Sequence, residues 1–293
     1  MIVSNLIGGL GNQLFQYAFG FAQAARHGVE LRVATDLFTG YRLHQGYELT
    51  RVFAVQPRQA SASDLQTLLG AWRHPVLRRA LSRWAPGLWR AGMAAFEPAP
   101  GWWPDTGRLG AQAYVHGYWQ SERYFAEQAC ALRRSLQFRH APSPDNERWL
   151  DRIGKGTSVS VHIRGGDYLS NAQNRRIYAA CGPAYYRAAL DHLRAACDGA
   201  RFFVFSDDVA WARHCLADRL DAVEIVDHNR GGESWNDLRL MSHCQHHVIA
   251  NSSFSWWAAW LGERPGKTII APRQWYLAPG KDTDLVPERW LRL

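Results

Sequence analysis

The first 25 residues of the chain carry no charged side chain, yet they are not a long apolar run. Asn5, Gly8, Gly9, Gly11, Asn12, Gln13 and Gln16 interrupt them, and no positive stretch precedes them. Ala22-Gln23-Ala24 imitates a signal cleavage site, but without the flanking pattern neither a signal peptide nor a membrane span fits. No other window reaches about 18 clean apolar residues, so no membrane crossing is expected. Cysteine is sparse. The five (Cys130, Cys181, Cys197, Cys215, Cys244) are scattered, odd in number and form no C-x-x-C pair. This excludes a secreted disulfide framework and points to a reducing compartment, the cytoplasm. Internal repeats and low-complexity segments are absent. With 47% apolar and 20% charged residues, disorder, collagen and coiled coil are excluded as well.

Acid is missing from one window. Between Gly70 and Met93 stand five arginines (Arg73, Arg78, Arg79, Arg83, Arg90) and no carboxylate, which is +5 of the chain's +8. So local an excess favours one anionic partner over general coating of nucleic acid. Leu69, Trp72, Val76, Ala80 and Trp84 recur there at helical spacing with arginines between them. A basic amphipathic segment can rest on anionic lipid, although a surface hairpin over the core explains the same pattern.

The abundant residue is tryptophan, 14 in 293 positions. Aromatic faces suit sugar rings and bases, and they equally fill a crowded core. The length suggests roughly two domains. The chain opens as a strand over 1–7, a glycine turn, a helix from Asn12, read as its cap, to about Arg26, and a strand over 29–34. Residues 70–110 read as irregular, Val115 as strand and 121–138 as helix. The polar stretch 140–157, with two prolines and two glycines, is the expected boundary between domains 1–145 and 146–293. Beyond it, short apolar strands (158–163, 201–205, 222–226, 247–250, 268–271) alternate with helices (183–197, 209–216, 234–244, 254–261). That alternation predicts a parallel, doubly wound sheet, whose ligands sit outside the strands' carboxyl ends.

Four clusters fall at such positions. Gly8-Gly9-Leu10-Gly11-Asn12-Gln13 places backbone N–H groups at a helix start. With Leu14 at the third glycine's place it is not the dinucleotide fingerprint, and no Lys-Ser/Thr makes it a P-loop. His162-Ile163-Arg164-Gly165-Gly166-Asp167-Tyr168 puts a guanidinium fork where a diphosphate could bind, or a structural Arg–Asp pair. Ser206-Asp207-Asp208 could hold Mg²⁺ or Mn²⁺, or accept hydrogen bonds from a base or ribose, with Asp208 alternatively a helix cap. Asn251 to Leu261 offers hydroxyls and a helix N-terminus, with its tryptophans read as core. Asp282-Thr283-Asp284 reads as solvated surface. His243, Cys244, His246 and His247 straddle a helix end and a strand and do not obviously converge on a metal.

The stretch Gly8-Gly9-Leu10-Gly11-Asn12-Gln13-Leu14-Phe15-Gln16-Tyr17-Ala18 resembles the opening of the α-1,2-fucosyltransferases, glycosyltransferase family 11. So do Gly117-Tyr118-Trp119-Gln120-Ser121-Glu122, the His162–Tyr168 motif and Asn251–Leu261, in the family's order and over nearly the whole chain. Lacking a membrane anchor and stem, it is similar to the bacterial members. The resemblance implies a GT-B-like α/β fold, two Rossmann-like domains whose parallel sheets face across a cleft, an N-terminal acceptor side and a C-terminal donor side. It implies GDP-L-fucose as donor, the 2-hydroxyl of a terminal galactose on an oligosaccharide or lipid-linked glycan as acceptor, inversion, and no metal or other cofactor. It places Arg164 on the diphosphate, His162 in the nucleotide pocket, Asp207 on guanine or ribose, Ser253, Phe254 and Ser255 at the phosphates, and Asn12 at the cleft. Where the family commonly has two consecutive arginines, the second position is Gly165, whose share would fall to Arg175 or Arg176.

The chemistry expected is a single displacement. Negative charge grows on the leaving diphosphate, Arg164 and helix N-termini stabilise it, and a carboxylate, with Asp167 the candidate, takes the acceptor's proton. The protein would work in the cytoplasm, with residues 70–93 as a candidate contact for acceptor or for the inner membrane face. The competing readings are a different acceptor or linkage, a catalytically silent nucleotide-sugar-binding protein, and a nicotinamide oxidoreductase.

Overall fold

The uncharged opening is interior. β1 (Ile2–Asn5) is buried at every position, and the chain then turns at Gly8, whose φ of +89° suits glycine. α1 (Leu10–His27) follows and stops at Gly28 in the left-handed region. In this computed structural model the described residues are 1–41, 43–84, 89–90, 93–98, 101–166, 172, 176–179, 181–278 and 284–293, without the side chains of 81–83 and 89–90.

Two units form, one from Met1–His140 with Thr283–Pro287, the other from Ala141–Asp282 with Glu288–Leu293. The first holds β1, β2 (Leu31–Ala34), β3 (Arg58–Gln59), β4 (Trp89–Arg90), β5 (Ala94–Phe96) and β6 (Ala113–His116), in the order β3-β2-β1-β6-β5-β4. Every pairing is parallel except β4 with β5. Its helices are α1, α2 (Leu49–Val52), α3 (Ala62–Leu69), α4 (Pro75–Trp84) and α5 (Ala129–Ser135).

The second unit alternates strand and helix. In chain order it runs α6 (Pro144–Ile153), β7 (Ser158–Ile163), α7 (Pro183–Ala196), β8 (Arg201–Ser206), α8 (Val209–Cys215), β9 (Val223–Val226), α9 (Trp235–His243), β10 (His246–Val248), α10 (Ser253–Leu261), β11 (Ile269–Ala271) and β12 (Leu291–Arg292). The order β12-β11-β10-β7-β8-β9 is parallel throughout. β7 comes first in the chain and lies mid-sheet, with β8 and β9 to one side and β10, β11 and β12 to the other. This is the doubly wound Rossmann order, and its switch point lies between β7 and β10. Val159, Val161 and Ile163 of β7 meet Phe202 and Val204 of β8 and Leu190 and Leu193 of α7 in one buried cluster. The fold is the expected GT-B-like α/β type with two parallel sheets.

Several local expectations are corrected. Gly9, not Asn12, is the N-cap of α1, and Asn12 lies in its first turn. The helix expected over 121–138 is two 3₁₀ turns (Glu122–Tyr124, Ala126–Gln128) followed by α5. The polar stretch 140–157 contains α6, capped by the Ser143 side chain with Pro144 at its start. The basic window is not one amphipathic helix. α3 ends at Gly70, a 3₁₀ turn (Gly70–Arg73) follows, and α4 starts at Pro75. Leu69 and Arg78 turn inward, and Arg78 pairs with Asp36 and donates to the Tyr114 hydroxyl at 3.1 Å. No helix among the described residues is long and apolar enough to cross a membrane.

Candidate active site

The second unit's motifs meet at the carboxyl edge of its sheet. β7 delivers His162 in the interior and Arg164 just past the strand end. Arg164 Nη1 lies 2.7 Å from Asp207 Oδ2, and the Gly165 N–H donates to Asp207 Oδ1 at 2.9 Å. One carboxylate at the end of β8 thus buckles both the guanidinium and the backbone after β7. With side chains 23% and 29% exposed, the pair adds about 1 kcal/mol or less to stability. Its stronger effect is to aim the fork. Ser206 supports the same corner, donating from Oγ to the Ile163 carbonyl at 2.7 Å while its Oγ accepts the Asp208 N–H at 3.0 Å. Asp208 caps α8 by accepting the Trp211 N–H at 3.0 Å. The two neighbouring acids therefore have separate tasks.

Across the switch point, β10 leads through Asn251 and Ser252 into α10. Asn251 is buried and its Nδ2 donates to the Ala179 and Trp275 carbonyls. Ser252 caps α10, its Oγ accepting the Phe254 N–H at 3.3 Å. Ser253 and Phe254 are partly exposed in the first turn. Ser255 is buried, and its hydroxyl is directed to the Ala250 and Ser252 carbonyls. The Phe254 ring lies 6.0 Å from that of His162, joining the two halves of the site. Trp256, Trp257 and Trp260 are fully buried, which makes them core.

Burial, aided by the Arg164 charge, pushes the His162 imidazole down to about 3, so it is neutral at physiological pH. Its carbonyl accepts from the Tyr186 hydroxyl at 3.2 Å, while the buried Nδ1 has no hydrogen-bond partner among the described residues. Buried polar atoms are rarely left so, and a ligand group at this edge would complete it.

The first unit has its own carboxyl edge. Asn12 Oδ1 accepts from Gln120 Nε2 at 2.8 Å, which joins the turn after β1 to the loop after β6. Gln16 makes the same tie, accepting the Ile7 N–H at 2.9 Å and donating to the Gly117 carbonyl at 3.0 Å. Gln13 donates to Gly8 and Gly46 and accepts the Glu48 and Leu49 N–H groups. The glutamines of the opening motif are thus scaffold.

A family model described as Glycosyl transferase family 11 matches residues 105–290. An alpha-1,2-colitosyltransferase of Escherichia coli is 32% identical over 100% of this chain and 99% of its own. This chain belongs to glycosyltransferase family 11. Galactoside alpha-(1,2)-fucosyltransferase 1 of Saimiri boliviensis boliviensis is 31% identical over 36% of this chain and 29% of its own. Among solved structures, fucosyltransferase NodZ from Bradyrhizobium matches with a TM-score of 0.50 at 14% identity, covering 88% of this chain and 90% of that one, a likeness of fold.

In this family 11 member the two glycines after Arg164 have a physical reason. A Cβ on Gly165 would stand 2.8 Å from Trp211 Cδ1 and 2.9 Å from Asp208 Cβ, and one on Gly166 would meet the Asp207 carboxylate at 2.5 Å. Trp211 fills the space. Asp167, Tyr168 and Arg175 lie outside the described residues, and Arg176 is exposed. The histidine cluster diverges: His243 bonds the Arg239 carbonyl, His246 accepts the Thr268 N–H, and His247 pairs with Ser160. Asp284 pairs with Arg123, while Asp282 and Thr283 lie outside the described residues. Among the described residues no group of three or more His, Cys, Asp or Glu is placed to hold a metal. Sequence reasoning missed Trp211 and Glu97, the acid just after β5. The one available signal for Glu97 was a lone acid following the apolar triplet Ala94–Phe96.

Proposed function

We propose that this protein transfers a 6-deoxyhexose from a GDP-linked donor to the 2-hydroxyl of a terminal galactose, with inversion and without a metal. The donor favoured is GDP-L-fucose, on an oligosaccharide or lipid-linked acceptor. The full-length similarity to a colitosyltransferase makes the 3-deoxy analogue, GDP-colitose, the second donor to test. The observation that carries the reading is the Arg164–Asp207 buckle at the end of β7, beside the N-terminus of α10 across the switch point.

In this reading the second unit binds the donor and the first the acceptor. Arg164 holds the diphosphate, with the first turn of α10 at Ser253 and Phe254 adding its positive end. His162 offers its unpartnered Nδ1 to the nucleotide, and Asp207 keeps the guanidinium aimed. The acceptor oxygen attacks C1, the bond from C1 to the β-phosphate oxygen breaks with its electron pair, and that charge meets Arg164 and the helix end. No covalent sugar–enzyme intermediate is needed. Asn12 lies at the acceptor side.

The test is GDP release from GDP-fucose and GDP-colitose, in EDTA, with and without β-galactosides. Release stimulated by a galactoside and surviving EDTA is expected. A GDP-stabilised protein that releases nothing would instead be a silent nucleotide-sugar binder.

The cytoplasmic reading extends to a peripheral site at the inner membrane face. α4 turns Val76, Leu77 and Trp84 outward, 63%, 45% and 79% exposed, beside the exposed Arg73 and Arg79. Salt-sensitive cosedimentation with anionic vesicles is expected, and equal recovery with neutral vesicles would remove this extension.

A further inference from the structure

We propose that Glu97 is the general base that takes the proton from the acceptor hydroxyl. This inference rests on the transfer reaction proposed above. Glu97 follows β5, at the carboxyl edge of the first unit's sheet and one strand from the switch point between β1 and β6. Its Oε2 accepts the Tyr118 N–H at 2.5 Å and its Oε1 the Trp119 N–H at 3.0 Å.

The surroundings are shaped around this carboxylate. A Cβ on Gly117 would come within 2.3 Å of Glu97 Cβ and 2.7 Å of Oε2, so only glycine leaves it room. Trp119 has φ of +54°, a strained value for a bulky residue, and it is buried and stacked on Phe19 at 4.2 Å. The strain turns two successive N–H groups toward one carboxylate. Each oxygen accepts one backbone N–H and keeps a lone pair for a substrate proton.

The charge environment suits a base. Burial pushes Glu97 up to about 7, against the two N–H bonds that lower it. Among the described residues Tyr118, from the loop after β6, and Tyr124, from the next turn, are titratable groups that feel its charge. His116, at the end of β6, is held neutral, pushed down to about 4 mainly by burial. Among the described residues no guanidinium or ammonium takes part in the Glu97 shift. A carboxylate clamped by a cation would be too weak a base, whereas one titrating near neutrality is matched to the task.

In the step itself, the acceptor O–H proton moves to a Glu97 oxygen as the acceptor oxygen bonds to C1. The leaving GDP takes the electron pair of the broken C1–O bond. Glu97 returns the proton to water after product leaves.

The experiment measures GDP release between pH 5.5 and 9 for the wild type, E97Q, E97D and D167N, with galactoside or with water as acceptor. GDP binding and thermal midpoint check the fold. E97Q is expected to lose at least about 100-fold in kcat. It should keep GDP binding and lose the acid limb near pH 7, while D167N keeps that limb and E97D restores part of the rate. ¹³C NMR of glutamate-labelled wild type against E97Q reads the carboxyl without turnover, and a midpoint below about 5 would overturn the inference. So would wild-type rate and limb in E97Q. A wild type inactive with both donors would overturn the transfer reading itself, and this inference with it.

Discussion

Asp207 explains why two glycines follow Arg164. Its carboxylate occupies the place of a Gly166 side chain while it holds Arg164 and the Gly165 N–H. Trp211 closes off the Gly165 side. Placing an arginine there with G165R should therefore force Trp211 or Asp208 to shift, at a cost of about 1–3 kcal/mol. Urea unfolding should show the loss, and G165R/W211A should recover part of it. A G165R protein as stable as wild type would refute the packing account. Arg164 and Asp207 were legible as candidates because each stands just after an apolar strand, and His162 because it is a polar residue near the end of one. Trp211 and Glu97 were not, because each matters through a neighbour far away in sequence.

At the scale of elements, what positions the site is helix starts. α10 begins where Ser252 accepts the Phe254 N–H, and α8 where Asp208 accepts that of Trp211. Removing the first cap with S252A should lower stability by about 1 kcal/mol. It should weaken GDP binding as well, because the same turn is proposed to face the phosphate. Calorimetry and urea titration on one preparation would separate the two, and an unchanged affinity would place the phosphate elsewhere. Most strands and helices of the second unit were readable, since short buried strands alternating with capped helices leave a period in the sequence. β3, β4 and β5 left almost none, because two- and three-residue strands are too short to show one. The helix expected over 121–138 fails after Ser121, where 3₁₀ turns seat Tyr124 against Phe19 and Trp119.

Across the whole molecule, burial moves acids and histidines in opposite directions. His116 and His162 are pushed down to about 4 and 3, and Glu97 and Asp237 up to about 7. A histidine held neutral loses stability for the fold as pH falls below about 6.5, where the unfolded chain takes the proton. A carboxyl with a raised pKa does the reverse: its contribution is complete below about pH 4 and disappears as pH climbs through 7. Asp237 accepts from Asn229 Nδ2 at 2.8 Å, and an asparagine there keeps an acceptor without the charge. D237N should therefore exceed wild-type stability at pH 8 by at least about 1 kcal/mol. The margin should shrink toward pH 5, read from urea midpoints. A margin constant with pH would show that Asp237 ionises normally.

The family, the doubly wound second half and the polar residues at its strand ends are legible in the sequence itself. Those features rest on local signals: apolar runs, glycine turns, and polar residues directly after a strand. Folding alone decided that Arg78 is interior, that the opening glutamines are scaffold, that Gly165 is blocked, and that an acid in an unpatterned stretch meets the backbone of a loop some twenty residues on. Burial and proximity come from packing between distant segments, and no spacing along the chain encodes them.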